Sequence, residues 1–417
     1  MGHDGRRADR LGRRLSSEGP PPGEGPHPPT ASADSWAASA GRRPEWTFGI
    51  VNPPVFRAST ILFPTVADME AAKADIDRNP FYGRKGTPTT WALREALSGL
   101  EPGAAGTMLF PSGVAALAAA IFSAARPGAH VLIPDSAYEP TADLVFGLAA
   151  DFGIEAEPYD PLAGAEIARL FRPETALVLL ESPGSLSFEV QDVPAITAAA
   201  RAAGITTLID NTWSASILFK GIAAGCDMVV QALTKYVAGH SDAMMGSVSA
   251  RPGHFERLRR TAWALGQCVS GDEAALVLRG FRTLPLRMRR HGESALAVAR
   301  HLAAHPLVEK VFHPALPDCP GHEIFARDFS GASGLFAFTL KHGEAEDAGV
   351  FCDGMQHFRL GFSWGGFESL ILPVKAARRL KPLPPYGRLY RVSIGLEEVA
   401  DLVADLDAAL ARVAARH

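Results

Sequence analysis

Ile205-Thr206-Thr207-Leu208-Ile209-Asp210 and Asp227-Met228-Val229-Val230-Gln231-Ala232 are short apolar runs rich in β-branched residues. The second leads into Thr234-Lys235-Tyr236-Val237-Ala238-Gly239-His240-Ser241-Asp242. Such runs mark strands buried on both faces of a parallel sheet. The pattern repeats upstream. His130 to Pro134 and Ala176 to Leu180 read as further buried strands, and Ser112 to Ala125 as an Ala-rich helix stopped by Arg126-Pro127-Gly128. Val193 to Ala203 reads as a helix after the Pro183-Gly184 loop. Helices between such strands predict an α/β domain with a mainly parallel sheet. Ligands of these sheets lie beyond the carboxyl ends of the strands. That singles out Ser136-Ala137-Tyr138, Glu181, Asp210-Asn211-Thr212 and Thr234-Lys235.

Beyond about Gly280 the texture changes. A basic run, Arg287-Met288-Arg289-Arg290-His291, opens a long helix through Ala304 and reads as its solvated face. After a Pro-rich stretch (His313-Pro314 to Pro320-Gly321), Leu335 to Leu340 and Leu389 to Gly395 alternate like half-exposed strands, and Glu397 to Arg416 is an amphipathic helix. A smaller α+β domain packed on the larger one is expected. The chain is 417 residues long with 47% hydrophobic and 21% charged residues, enough for two or three domains. Its formal net charge of −4 gives no electrostatic reason to expect nucleic acid or an anionic membrane as partner. The four cysteines show no CxxC pair or zinc spacing and are expected to be free thiols in a reducing cytoplasm, with no metal site. Residues 1–40 carry Arg6-Arg7, Arg13-Arg14, Pro20-Pro21-Pro22-Gly23 and Pro28-Pro29, without the apolar core of a signal peptide, and are expected to be disordered. No stretch reaches the roughly 18 apolar residues of a membrane span.

A lysine just after a buried strand can sit in a partly dry pocket, where desolvation favours the neutral amine that Schiff-base chemistry needs. On its own, a lysine in a loop such as Lys235 reads first as a solvated surface charge. Asp210, ending its strand, has two readings as well: partner of a protonated pyridine nitrogen, or cap of the Asn211-Thr212 turn. Ser112-Gly113 opens a helix whose first N–H groups could bind phosphate, or is a plain N-cap. Tyr138 could stack on a ring or simply pack at a core edge. What gives these signals weight is their order along successive strand ends: phosphate site, stacking aromatic, carboxylate, lysine.

That order, and the words around it, resemble the pyridoxal 5'-phosphate (PLP) dependent enzymes of cysteine and methionine metabolism, within them the cystathionine β-lyases. The resemblance runs from about Ala40 to the C-terminus. It is carried by Phe81-Tyr82-Gly83-Arg84-Lys85-Gly86-Thr87, Ala137-Tyr138-Glu139-Pro140, Glu181-Ser182-Pro183-Gly184-Ser185 and Ile209-Asp210-Asn211-Thr212-Trp213. Thr234-Lys235-Tyr236 with Gly239-His240-Ser241-Asp242, Ser363-Trp364-Gly365-Gly366 and Ile394-Gly395-Leu396-Glu397 continue it. It implies the PLP-dependent transferase fold (fold type I), with an N-terminal arm over 41–69, a large PLP-binding domain over 70–280 and a C-terminal α+β domain over 281–417. It implies that Lys235 is the Schiff-base lysine, that Asp210 partners the pyridine nitrogen and that Tyr138 stacks on the ring. Ser112, Gly113, Val114 and Thr234 would hold the phosphate, with Tyr82 and Arg84 reaching it from a neighbouring subunit. The active site would then lie at the interface of a homodimer at least, and the family points to a tetramer. Arg391 would clamp the substrate α-carboxylate, with Ser363 and Trp364 in the segment that orients it.

The reaction implied is β-elimination of L-cystathionine to homocysteine, pyruvate and ammonia, a step of methionine biosynthesis in the cytoplasm. Glu181-Ser182-Pro183-Gly184-Ser185 resembles the β-lyase form of a loop that reads ESPTNP in the γ-synthase and γ-lyase relatives. Two departures stand out. Ala232 replaces a serine that often reaches the phosphate. Trp263, in Thr261-Ala262-Trp263-Ala264-Leu265-Gly266, replaces a tyrosine near the substrate. Tryptophan is bulkier and donates only through its ring N–H. A broader cysteine-S-conjugate β-lyase or cysteine desulfhydrase is the alternative within this chemistry. A PLP-binding regulatory protein with vestigial catalysis is the alternative outside it.

Overall fold

A computed structural model describes residues 32–77, 79–341, 347–384 and 388–417. Seven strands form the larger sheet: β1 (Gly106–Phe110), β2 (His130–Pro134), β3 (Glu155–Tyr159), β4 (Thr175–Glu181), β5 (Thr206–Asp210), β6 (Met228–Ala232) and β7 (Gly246–Ala250), in the order β1-β7-β6-β5-β4-β2-β3. All neighbours are parallel except β7, which runs antiparallel to both β1 and β6. The period of two explains the unbroken apolar runs. Val178, Leu180, Ile209 and Val229 join the core on one face, with the helices Pro88–Ser98, Val193–Ala202 and Gly271–Phe281. Leu177, Leu179, Leu208, Met228 and Val230 join a second core on the other face, under the helices Gly113–Ala124 and Phe255–Ala264. Both faces are covered, so neither needs polar residues.

The second sheet has five strands, β8 (Val308–Phe312), β9 (Leu335–Leu340), β10 (Arg359–Leu360), β11 (Leu370–Val374) and β12 (Leu389–Ser393), ordered β10-β11-β12-β9-β8. Here the expectation of half-exposed strands is corrected for both segments: the six residues of β9 are all buried, and over 389–395 all but Arg391 are. Phe336, Phe338 and Leu340 pack with Ala295, Val298, Leu402 and Leu406 of two helices, whereas Leu335 and Ala337 face the core of the larger sheet. An alternation of aromatic and small residues therefore marked two unequal buried faces.

Two further expectations change. The expected disorder of residues 1–40 falls largely on residues 1–31, which lie outside the described residues, and is corrected beyond them: Ala33–Ser39 is a helix capped by Ser32. Trp36 anchors it, buried and donating Nε1–H to Ala96 O at 2.8 Å, and Asp34 pairs with Arg289. The basic run is also not a solvated face throughout. In the helix Leu284–Ala304, Arg289 and Arg290 do reach exposed carboxylates, whereas Arg287 and His291, one turn apart, point inward and are buried.

A buried ion cluster ties the two sheets' regions together. Arg378, just past β11, bridges Asp135 after β2 (3.1 Å) and Glu189 in the loop after β4 (2.9 Å). Asp135 also accepts the N–H groups of Arg379, Leu380 and Lys381, which hold its pKa below the usual value. Arg378→Met strands both carboxylates out of water and should cost about 3–5 kcal/mol, read as a lower urea midpoint at unchanged slope. Among the described residues, no helix is long and apolar enough to cross a membrane.

Candidate active site

The carboxyl ends of β4, β5 and β6 and the loop before β11 converge on one cleft. Lys235 follows β6 in a tight turn, with its N–H on Ala232 O (3.1 Å) and its carbonyl accepting Gly239 N–H (2.8 Å). Its side chain is directed back across the cleft, where Nζ donates to Ser363 Oγ at 2.7 Å and lies 5.2 Å from the Trp364 ring centroid. Burial first, then the positive charge of Arg391, bring the Lys235 pKa down to about 8, with Asp210 opposing. The protonated amine still predominates near physiological pH, but a neutral fraction on the order of a tenth, far above that of an ordinary lysine, is available as a nucleophile or base. Ser363 holds this contact from a left-handed backbone, φ +78°.

Asp210 ends β5 directly beside Glu181 on β4. One Asp210 oxygen accepts the N–H and hydroxyl of Thr212. The other accepts no hydrogen bond among the described residues, so it can receive an N–H from a ligand. Burial raises the Asp210 pKa, while Thr212 and Lys235 hold it down. Glu181 is pushed well up, by burial and then by the charge of Asp210. Glu181 Oε2 also accepts the Tyr138 N–H at 2.8 Å and fixes the turn that presents the Tyr138 ring, 41% exposed, over the cleft.

At the far end, Ser112 caps the helix Gly113–Ala124 by accepting Ala115 N–H at 3.1 Å. The N–H groups of Gly113 and Val114 have no intrahelical acceptor and no partner among the described residues, an arrangement suited to an anion. A Cβ at Gly113 would meet Ala232 Cβ at 2.8 Å, so this helix end packs directly on the last residue of β6. The Thr234 hydroxyl exchanges bonds with the backbone of Met245, accepting its N–H (3.0 Å) and donating to its carbonyl (3.2 Å).

Opposite these groups stands Arg391 on β12. It donates to Ser363 O at 3.0 Å and has no carboxylate within ion-pair reach among the described residues. A half-buried guanidinium without an anion is a ready binder of a carboxylate. The cleft thus offers a phosphate cradle, a free carboxylate oxygen, a ring-covering tyrosine and a partly neutral lysine, in the order that PLP presents its complementary groups. The residues fit that cofactor.

The family model for Cys/Met metabolism PLP-dependent enzymes matches residues 34–411. The chain belongs to this family. It is similar to cystathionine β-lyase MetC of Escherichia coli K12, 44% identical over 91% of this chain and 98% of that protein. To the Salmonella typhimurium cystathionine β-lyase it is 43% identical, over 91% and 98%. Its fold, that of the PLP-dependent transferases, matches the crystal structure of cystathionine γ-synthase from Xanthomonas oryzae in complex with cystathionine. That match has a TM-score of 0.84 and 32% identity over 93% of this chain and 99% of that one.

Not every residue singled out for this family's site reaches the cleft from its own chain. Arg84 donates to Trp263 O at 2.9 Å, and Lys85 Nζ lies 3.5 Å from the centroid of the Trp263 ring, with the Arg259 guanidinium 5.0 Å from it. Tyr82 is 42% exposed. No hydrogen bond or ring contact among the described residues joins this group to Lys235, Asp210 or Tyr138. Arg84, Lys85 and Trp263 therefore form a second constellation, with Tyr82 two residues before Arg84 in the chain. Reasoning from sequence missed three supports of the first one. Glu181 was visible only as a strand end. The Ser363 contact to Lys235 is hidden because serine carries no signal for positive φ, and Arg287 is hidden inside a basic run.

Because the neutral amine captures PLP, capture by the apoprotein should speed up as pH rises, with a midpoint near 8 rather than at the ordinary lysine value. Arg391→Met removes a cation that favours the neutral amine and should move the midpoint upward. Absorbance-monitored capture from pH 6 to 10 measures both.

Proposed function

We propose that the protein is a cystathionine β-lyase, cleaving L-cystathionine with water to homocysteine, pyruvate and ammonia. The observation that carries this reading is the Lys235 amine, brought towards neutrality and aimed by Ser363 between an anion-free Arg391 and the Asp210 carboxylate. Likeness to named cystathionine β-lyases over nine-tenths of the chain supports the substrate. PLP bound in the cleft supplies an electron sink for the Cα carbanion. Ser112, Gly113 and Val114 would hold its phosphate, and Tyr138 would cover its ring. Asp210 would hold the proton on its ring nitrogen. Arg391 binds the substrate α-carboxylate and so turns the Cα–H bond toward Lys235. Lys235 Nζ takes that proton and delivers one to the departing sulfur. Ser363 Oγ steadies the amine between these two tasks.

The active enzyme is an oligomer in this reading. The arm before the first helix of the large domain exposes Phe48, Ile50, Val51, Leu62 and Val66, the most exposed of them Leu62 at 89%. Apolar side chains this open call for a covering surface. A second copy would bring Tyr82, Arg84 and Trp263 to its neighbour's cleft. Trp263 in place of tyrosine is the observation favouring the broader alternative, a cysteine-S-conjugate β-lyase. Product assays on cystathionine, cysteine and other S-substituted cysteines test the choice. Equal yields of homocysteine and pyruvate from cystathionine are expected. Sulfide from cysteine, with nothing from cystathionine, would replace the primary reading.

A further inference from the structure

Arg287 is a buried cation that the reaction does not use. It is 6% exposed and faces no carboxylate among the described residues. Nη1 donates to Tyr236 O at 2.6 Å, Nη2 to Gly280 O at 2.7 Å and Val237 O at 3.3 Å, and Nε to Thr283 Oγ1 at 3.1 Å. Two of these acceptors belong to the turn that carries Lys235. That turn closes through Ala238 N–H to Leu233 O (2.9 Å) and Gly239 N–H to Lys235 O (2.8 Å). As at any helix-like C-terminus, its next carbonyls, Tyr236 and Val237, are left without backbone donors. Unbonded in a dry interior they would each cost about 1–3 kcal/mol, and the turn would relax to find partners.

The surroundings are shaped to this guanidinium. A Cβ at Gly239, where φ is +66°, would fall 2.0 Å from Arg287 Nη1, and one at Gly280 would fall 2.1 Å from Ala238 O. On the other side, Tyr236 accepts Gly334 N–H at 2.8 Å through its hydroxyl. Its ring packs on His291 and Trp364, at 5.2 and 5.3 Å between centroids. The peptide after Lys235 is therefore held from both sides while the lysine side chain stays free to move.

We propose that Arg287 is a positioning residue: by binding the Tyr236 and Val237 carbonyls it fixes the Lys235 backbone, so that Nζ swings on a rigid base between its proton-transfer positions. This rests on Lys235 being the base of the proposed lyase, and it concerns proton removal at Cα rather than the choice of substrate.

The test compares PLP-loaded wild type with Arg287→Gln, Arg287→Lys and Gly280→Ala, the last pressing the same turn with Arg287 intact. Three readouts are taken: steady-state cleavage of cystathionine, exchange of the L-alanine Cα proton in deuterated water, and visible circular dichroism of the bound cofactor. For Arg287→Gln, exchange and kcat should fall together by about 10²-fold, the scale of a 1 Å misplacement, with KM within about threefold. The visible dichroism should shrink, Arg287→Lys should recover part of each signal, and Gly280→Ala should reproduce the loss. Exchange within about twofold of wild type in folded, PLP-loaded Arg287→Gln overturns the proposal. So does loss of fold and cofactor in every variant, which would make Arg287 a folding residue only. If wild type leaves cystathionine intact but Arg287→Gln still slows exchange, the lyase reading fails and the role of Arg287 stands.

Discussion

Lys235→Ala is expected to lower cystathionine cleavage by on the order of 10⁴-fold, the upper range for loss of a positioned acid–base group. The reason lies in the surroundings of Nζ. Few amines combine burial, a nearby cation and a hydroxyl tether that together bring the pKa to about 8 while the side chain points into an open cleft. Lys220, half-buried, is also shifted down by burial, but it is directed to the Ser216 carbonyl in the network around Glu101 and cannot substitute. The alanine variant should fold normally, since only the partly exposed end of the cleft changes. Bound PLP should lose the absorbance of its lysine-linked form. Pyruvate release per subunit, with that absorbance, measures the effect. Full activity in the alanine variant would refute the account of catalysis, and a colourless wild-type protein would do the same.

Asp210→Asn should lower kcat by about 10²–10³-fold, the scale for removal of one preorganised electrostatic partner. The amide keeps the shape and the Thr212 contacts but cannot hold a proton on a pyridine nitrogen through charge. The variant carries a second, independent signature. Asp210 raises the Lys235 pKa, so its neutralisation should move the midpoint of PLP capture downward, opposite to Arg391→Met. A pair of shifts with opposite signs cannot come from general loosening of the cleft. Unchanged kcat, or a shift of the same sign in both variants, would remove Asp210 from its assigned role.

How much of this was legible before the fold was known depended on the distance over which each residue's environment is set. Strands β2, β4, β5 and β6 carry apolar residues on both faces at their centres, so local composition sufficed. The order of Ser112, Tyr138, Asp210 and Lys235 survived because each follows or opens such an element. Other features answer to partners far along the chain. The carboxylates that Arg378 pairs with, Asp135 and Glu189, follow strands of the larger sheet far along the chain, and no local pattern links them. Arg287 and Arg289 are two positions apart in one basic run. One is buried on carbonyls and the other exposed on Asp34, because the helix presents them to different surroundings. In β9 the residues facing two cores differ in size rather than polarity, so period-two alternation looked like exposure. Trp36 lies in a stretch whose composition reads as disordered, and what receives it is the helix Pro88–Ser98.

Ser363 carries a consequence for any effort to make this protein hardier. A serine at φ +78° pays a conformational penalty of about 1–3 kcal/mol that glycine would not. Selection for heat tolerance alone would therefore favour Ser363→Gly, and the gain would look like an improvement in every melting experiment. The same change deletes the oxygen that steadies the Lys235 amine. Robustness and turnover are opposed at this one position, and a breeding scheme that screens only the first would discard the second unseen.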